Sequence, residues 1–394
     1  MQMPMPQKPS VKVVRELSFY IHIPYCIKRC GYCDFNTYTP RELQGPDVAS
    51  VSQSYIDAAI SEIAQARAQV GEGFAVPTIF FGGGTPSLMP ANDLARVINA
   101  IRRDFELSQD AEITIEVNPD SVTEEFLTTM REAGATRISM GMQSAVPHVL
   151  ATLDRTHSPE NVSRAVEMVR SVGYEHCSVD LIYGAPGETI DDWKKTVTDA
   201  LSLPIDHLSA YALIVESGTK LAQQIRSGEL ILPNDDESAE KYRIVDDECE
   251  RAGMSWYELS NWSKPGSECR HNIAYWNGSS WWGIGPGAHS YFENKRWWNV
   301  KHPTTYQRKI TNDESPIHES EDLTEENIKN EYVMLTIRMK EGIPHSRLTL
   351  QQRERASEYR ASGHIDEEMW HSGRLVLTQN GRLIADRIVR EMLV

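Results

Sequence analysis

Apolar residues along the first half of the chain switch repeatedly between strand-like and helix-like spacing. Residues 18–23, S-F-Y-I-H-I, are an apolar and aromatic run that predicts a strand. Ile56, Ile60 and Ile63 recur at helical spacing within residues 52–70. T-I-F-F at 78–81 runs into G-G-G-T-P, a strand meeting a turn, and Leu94, Val97, Ile98 and Ile101 predict a helix over 91–105. E-I-T-I-E-V at 112–117 alternates as a strand does. Thr123 is placed to cap a helix that stops at Gly134. R-I-S-M-G-M at 137–142 predicts a strand, and Val162, Ala165, Val166 and Val169 a helix ending at Gly173. S-V-D-L-I-Y-G at 178–184, residues 190–202 and H-L-S-A-Y-A-L-I at 207–214 predict strand, helix and strand.

Six strand–helix alternations at roughly thirty-residue intervals are the signature of βαβ units and a parallel sheet. Right-handed crossovers curl such a series into a full or partial barrel, with its active groups just past the C-terminal strand ends. The chemistry-bearing residues fall there: Cys26–Cys33 after the first strand, Gly82–Thr85 after the second, Glu116 ending the third, Gln143 after the fourth and Asp180 within the fifth. The predicted fold class is therefore α/β, a partial (β/α)6 TIM-like barrel followed by a C-terminal α+β region. The expected divisions are a flexible lead over 1–17, the barrel over 18–215, an extension over 216–310 and a C-terminal module over 311–394.

Past residue 215 the alternation stops. Residues 236–253 predict a helix, 269–298 are rich in Trp and Gly, and 311–327 are acidic and Pro-interrupted, as a linker would be. The tail reads as helix, helix, a short hairpin in R-L-V-L-T-Q-N-G-R and a closing helix, a winged-helix-like order. The closing helix has no basic cluster, which counts against DNA binding.

Composition narrows the function classes. Of 394 residues 40% are hydrophobic and 24% charged, an ordinary globular balance, and the formal net charge of −16 argues against a nucleic-acid partner, which needs a basic face. No apolar run approaches the length of a membrane span, and M-Q-M-P-M-P-Q-K-P-S lacks the apolar centre of a signal peptide, so a cytoplasmic location is expected.

Three of the six cysteines, Cys26, Cys30 and Cys33, lie within eight positions as C-x3-C-x2-C, and no fourth follows closely. A structural zinc site takes four ligands and usually shows a second C-x2-C pair. Three thiolates suit a [4Fe–4S] cubane whose fourth iron stays open to an outside ligand. A zinc site completed by a distant His, or three unrelated thiols, are the alternatives. Gly31 is expected to ease the tight backbone between the second and third ligands.

C-x3-C-x2-C after a first strand and G-G-G-T-P after a second resemble the radical S-adenosylmethionine (SAM) superfamily. The resemblance implies a [4Fe–4S] cluster on Cys26, Cys30 and Cys33. It also implies an open iron that takes the amino and carboxylate groups of SAM, and one-electron cleavage to a 5′-deoxyadenosyl radical. Y-I-H-I-P-Y-C further resembles the coproporphyrinogen dehydrogenase branch and its HemW-type relatives, the haem chaperones. By that similarity the SAM contacts are Tyr20, Tyr32, Gly83, Gly84, Thr85, Glu116, Gln143, Arg155, Asp180 and Ala212. Glu116 and Asp180 would accept from ribose or amino groups, Arg155 would meet the SAM carboxylate, and Tyr32 would pack on adenine. A barrel-rim ion-pair network is the plainer alternative for Glu116, Arg155 and Asp180.

Two departures point to the chaperone side: Phe35 stands where the dehydrogenases carry a fourth cysteine, and the first strand begins near residue 18, without their longer N-terminal extension. R-H-N-I-A-Y-W at 270–276 resembles the HemW-type H-N-x-x-Y-W hallmark. It implies haem as cargo, with His271 as a candidate axial ligand, Cys269 as an alternative, and Tyr275, Trp276, Trp281, Trp282, Trp297 and Trp298 as aromatic surface. A hydrogen-bonded structural His and a tryptophan core are the competing readings. His22 is expected as a packed barrel residue, His157 as a solvated residue at a helix start, and His289 as either a lining of the SAM mouth or a loop residue. Cys177 and Cys249 are expected as small core residues.

The implied partners are apo-haemoproteins such as respiratory cytochromes, an electron donor such as a flavodoxin or ferredoxin, and peripheral contact with membrane proteins. The competing enzyme reading is oxygen-independent oxidative decarboxylation of coproporphyrinogen III to protoporphyrinogen IX. A zinc-dependent regulator is disfavoured by the acidic charge and the missing second cysteine pair.

Overall fold

A computed structural model describes residues 15–393. Its first half follows the apolar pattern: β1 (Ser18–Ile23), α1 (Val48–Val70), β2 (Phe74–Gly83), α2 (Ala91–Asp104), β3 (Glu106–Val117), α3 (Glu124–Ala133), β4 (Arg137–Gln143), α4 (Pro159–Val172), β5 (His176–Tyr183), α5 (Ile190–Ser202) and β6 (His207–Ala212). The boundaries have local causes. Thr123 accepts the Phe126 N–H at the start of α3, while Gly134 and Gly173 close α3 and α4 in the left-handed conformation that a side chain resists. β1 to β6 pair in sequence order, all parallel.

The sheet does not end at those six strands. α6 (Asp235–Arg251) leads to β7 (Ser255–Glu258) and β8 (Asn261–Ser263), and β8 adds antiparallel to β6. After α7 (Arg270–Trp276), β9 (Trp281–Ile284) pairs parallel with β1 on the opposite edge. β10 (His289–Phe292), β11 (Lys295–Asn299) and β12 (Ile317–Asp322) extend that edge antiparallel. The strand order is β12-β11-β10-β9-β1-β2-β3-β4-β5-β6-β8-β7, an open and mixed sheet around a parallel centre.

Several expectations change. The stretch read as a linker over 311–327 contains β12, whose charged side chains pair across the edge; Arg296 on β11 meets Glu321 at 2.8 Å. The lead expected over 1–17 lies outside the described residues up to position 14, while Arg15–Glu16 forms a short strand beside Phe74–Ala75 and Leu17 is fully buried. The first hydrophobic core takes residues from both sides of position 216, Leu17 to Ala210 and Tyr242 to Ile310.

A second core gathers α8 (Glu325–Thr336), α9 (Leu350–Ala361) and α10 (Ala385–Met392). The expected hairpin in R-L-V-L-T-Q-N-G-R is absent. Arg374–Leu375 pairs instead with Ile343–Pro344, and Gln379–Leu383 is a short helix because the Thr378 hydroxyl caps it by accepting the Gly381 N–H. Helices and a two-stranded ribbon are there, without the sequence-local wing.

Arg382 ties this second core to α6. Its guanidinium donates to both carboxylate oxygens of Asp246 at 2.8 and 2.6 Å and to the Tyr242 hydroxyl at 3.0 Å, and lies 4.3 Å from the Trp256 ring centroid. Removing one partner strands a largely buried charge, so Arg382→Ala is expected to lower stability by about 3 kcal/mol in chemical denaturation of the full chain.

Candidate functional site

The loop between β1 and α1 carries the three cysteines, each half-buried and free of disulfides. The Cys33 N–H donates to the Cys30 carbonyl at 3.2 Å, closing a tight turn between the second and third thiols. Gly31 in this turn is outside the left-handed region. What excludes a side chain there is the Asp154 carboxylate, 2.6 Å from where a Cβ would sit. That carboxylate is itself held by Lys28 and Lys220.

Two donors reach the sulfurs: Thr85 Oγ1 to Cys26 Sγ at 3.7 Å and Arg155 Nη1 to Cys30 Sγ at 3.4 Å. Burial pushes the Cys26 thiol up to about 11 and raises that of Cys33. As free thiols they keep their protons, and a metal would have to draw them off. Among the described residues no three His, Cys, Asp or Glu side chains meet at one ion-sized point. A cubane held at three corners takes one thiolate per iron, so its ligands need no common point. The donor set fits such a cluster better than a single zinc.

The glycine turn after β2 is pressed onto this loop. The Gly84 N–H donates to the Ile23 carbonyl at 2.7 Å and the Thr85 N–H to the Tyr25 carbonyl at 2.9 Å. A Cβ on Gly84 would stand 2.5 Å from the Tyr25 carbonyl oxygen, so only glycine lets the two backbones approach. Gly83 has φ 106° and its N–H donates to Glu116 Oε2 at 3.2 Å.

Glu116 and Asp180 face the same space from β3 and β5. Burial, with the nearby Asp180 charge, pushes the Glu116 carboxyl up to about 8; burial raises Asp180 to about 6 against the hydroxyls of Ser209 and Ser139. Both folded values exceed the unfolded ones of roughly 4, so between those limits the folded chain binds more protons than the unfolded one. The contribution of this carboxyl pair to the stability of the ligand-free protein is therefore expected to fall as pH rises from 5 toward about 8. Glu116→Gln should flatten that slope in denaturation curves taken across the range.

Arg155 is fixed from behind by His157. His157 is buried, not solvated. Its Nε2 donates to the Met142 carbonyl at 2.9 Å, which leaves Nδ1 to accept from Arg155 Nε at 3.4 Å. Burial and the adjacent guanidinium lower its pKa to about 4, so the ring stays neutral and able to accept. Arg155 also donates to the Gly141 carbonyl at 3.1 Å. Gln143, buried at the end of β4, holds a left-handed φ of 64°, uncommon for a side-chain-bearing residue and typical of functional turns.

A cavity of about 890 Å³ opens above the strand ends. Tyr20, Cys33, Gly83 and Glu116 line one part of it; Tyr275, Trp281 and His289 line another. His22 is buried as expected, yet it reaches this wall. Its Nε2 donates to the Asn36 carbonyl at 2.9 Å, so Nδ1 accepts from the Tyr20 hydroxyl at 3.1 Å. Asn36 in turn donates to the carbonyls of Pro286 and Lys301, both at 2.9 Å, stapling the cysteine loop to the turn before β10 and to the segment after β11. No local pattern marks Asn36, because its partners lie some 250 positions away.

The remaining candidates scatter. Tyr32 packs among Val146, Val149, Leu153, Ile182, Ala185 and Leu213, beside Cys30 and Arg155 but off the cavity wall. Ala212 is exposed at the end of β6. Trp282 and Trp297 are core, Trp276 lies under Arg338, and Phe35 is 62% exposed at the mouth. Cys177 and Cys249 are buried as read.

His271 is not on the wall. It is 2% exposed, with Nδ1 2.7 Å from the Thr78 hydroxyl and Nε2 3.1 Å from the Tyr275 hydroxyl. Glu112 accepts the backbone N–H groups of Arg270 and His271 and is itself paired with buried Arg137 at 3.1 Å. The H-N-x-x-Y-W helix is thus anchored by its first turn, and His271 holds Tyr275 toward the cavity. Cys269 is buried against Glu112 and does not reach the cavity.

An open, mainly parallel α/β sheet with C-x3-C-x2-C on its first loop and a glycine turn on its second defines the class. Residues 20–200 match the radical SAM superfamily profile. The fold is that of the Escherichia coli coproporphyrinogen III oxidase HemN, at TM-score 0.81 and 22% identity, covering 96% of this chain and 90% of that one. The sequence is 46% identical to the heme chaperone HemW of Mycobacterium tuberculosis, across 99% of this chain and 96% of the relative. It is 35% identical to HemW of Bacillus subtilis, across 84% and 85%. The chain belongs to the HemW heme chaperone family of the radical SAM superfamily.

Proposed function

We propose that the chain carries a [4Fe–4S] cluster on Cys26, Cys30 and Cys33, binds SAM beside it, and holds haem for transfer to apo-haemoproteins. A cluster with one open iron would supply a bound sulfonium with a single electron. The chain's own residues bind and orient. Gly83, Gly84 and Thr85 offer backbone close to the loop, Glu116 and Asp180 offer paired carboxyls, and Arg155 stands beside Cys30. Contact of each of these residues with SAM is part of the proposal.

One observation carries the reading: a single cavity joins Cys33, Gly83 and Glu116 to Tyr275 and Trp281 of the H-N-x-x-Y-W region. A volume of about 890 Å³ lies within the range of small-molecule and cofactor sites, roughly 300–1,000 Å³. The curated relatives named above are heme chaperones, and Phe35 stands at the mouth in place of a fourth cysteine. Respiratory cytochromes are the recipients proposed, with a flavodoxin or ferredoxin as reductant. No helix among the described residues is long and apolar enough to cross a membrane.

The test offers anaerobically reconstituted protein, with reductant and SAM, either haem or coproporphyrinogen III. A stable haem complex without porphyrinogen consumption supports the carrier. Many turnovers to protoporphyrinogen IX would replace it by the dehydrogenase.

A further inference from the structure

We propose that cargo haem seats at the mouth of the cavity with His289, and not His271, as the protein ligand to its iron, and with Lys301 as the cation for a propionate. The inference rests on the carrier reading above and specifies where in that site the cargo is gripped.

His271 has no free nitrogen. Ligation would break its bond to Thr78 or to Tyr275 and leave a buried polar atom without a partner, a loss that burial makes expensive. His289 has the opposite surroundings. It is exposed, it lines the cavity, and among the described residues no hydrogen bond engages either of its ring nitrogens. The ring is not loose, however. It stacks on Trp298 at 5.5 Å between centroids with planes 22° apart, and its backbone is paired to Trp298 in the β10–β11 register. A ring fixed by stacking, with a nitrogen left for an outside atom, is what an axial ligand requires. Burial, with the neighbouring cations Lys301 and Arg296, disfavours the imidazolium, so the neutral form that binds iron is the one presented.

The wall around it suits a flat apolar ring with charged edges. Trp281 and Tyr275 meet edge to face at 4.9 Å, and Trp281 Nε1 donates to the His289 carbonyl at 3.2 Å, so ligand and aromatic wall are one unit. Phe35 adds exposed aromatic surface at the same mouth. Two cations and three acids line the cavity: Arg29 and Lys301, with Asp34, Glu42 and Glu116. Arg29 is committed to Glu42 at 3.1 Å, whereas Lys301 is exposed and has no ion pair among the described residues. It is the wall cation available to a carboxylate.

The test is visible absorption and haem transfer to apomyoglobin for the full chain and its variants. His289→Ala is expected to lose the imidazole-ligated Soret spectrum and to release haem about tenfold faster or more, roughly the loss of one good contact. Added imidazole should restore the spectrum, which a purely structural role would not allow. Lys301→Glu should speed release without changing the spectrum. His271→Gln, checked for wild-type melting, should keep the ligated spectrum. An unchanged spectrum in His289→Ala overturns the inference and leaves the carrier standing, because wild type still holds haem. Wild type that binds no haem removes both.

Discussion

Replacing Cys26, Cys30 or Cys33 singly by Ala is expected to bring cluster iron in the anaerobically reconstituted protein down to near background, and with it any spectral response to SAM. The size of the effect follows from the ligand count. Three thiols hold three corners, and the other three cysteines, Cys177, Cys249 and Cys269, are buried away from the loop. Binding must also draw protons from the Cys26 thiol, which burial raises to about 11, and from the Cys33 thiol, which burial also raises. The fold should survive, since the three sulfurs are half-exposed on a loop and contribute little to the core. Iron analysis and circular dichroism on the same sample separate these outcomes. Retained iron in Cys30→Ala would show that the triad is not the ligand set.

Gly83→Ala is expected to leave the cluster in place and weaken SAM binding by about tenfold or more, through a backbone strain of roughly 1–2 kcal/mol and a clash that cannot relax locally. At φ 106° an added Cβ stands 2.6 Å from the His22 ring. That ring has nowhere to go, being buried and held by the Tyr20 hydroxyl on one nitrogen and the Asn36 carbonyl on the other. Moving it moves Tyr20 and loosens the staple between the cysteine loop and the Pro286–Lys301 region. A SAM titration followed by the cluster's absorption, with iron content measured alongside, checks both halves.

The parallel centre of the sheet was legible because its signals are local. Thr123, Gly134 and Gly173 stop and start helices within a few residues of themselves, and α5 begins and ends at the predicted residues 190 and 202. The cysteine spacing and the glycine turn are equally local, and the sheet brings them within one backbone hydrogen bond of each other. What escaped prediction is long-range. W-W-G-I at 281–284 is too short and glycine-broken to announce a strand, and it pairs with β1 from more than 250 positions away. The Q-N-G signal near residue 380 reads as a hairpin turn until Thr378 caps it into a helix. His157 carries no local sign of burial, and the pattern around His271 leaves ligand and structural roles both open. Only the fold shows that Met142 and Arg155 enclose one, and Thr78 and Tyr275 the other.

The proposed iron–sulfur cluster stands on three thiolates with one corner open toward the cavity. Electron paramagnetic resonance of the reduced, anaerobically reconstituted protein, recorded without and with SAM, tests it most directly. A [4Fe–4S] signal whose g-values shift when SAM is added is the predicted result. Bound zinc, or a cluster signal that SAM leaves unchanged, would contradict it.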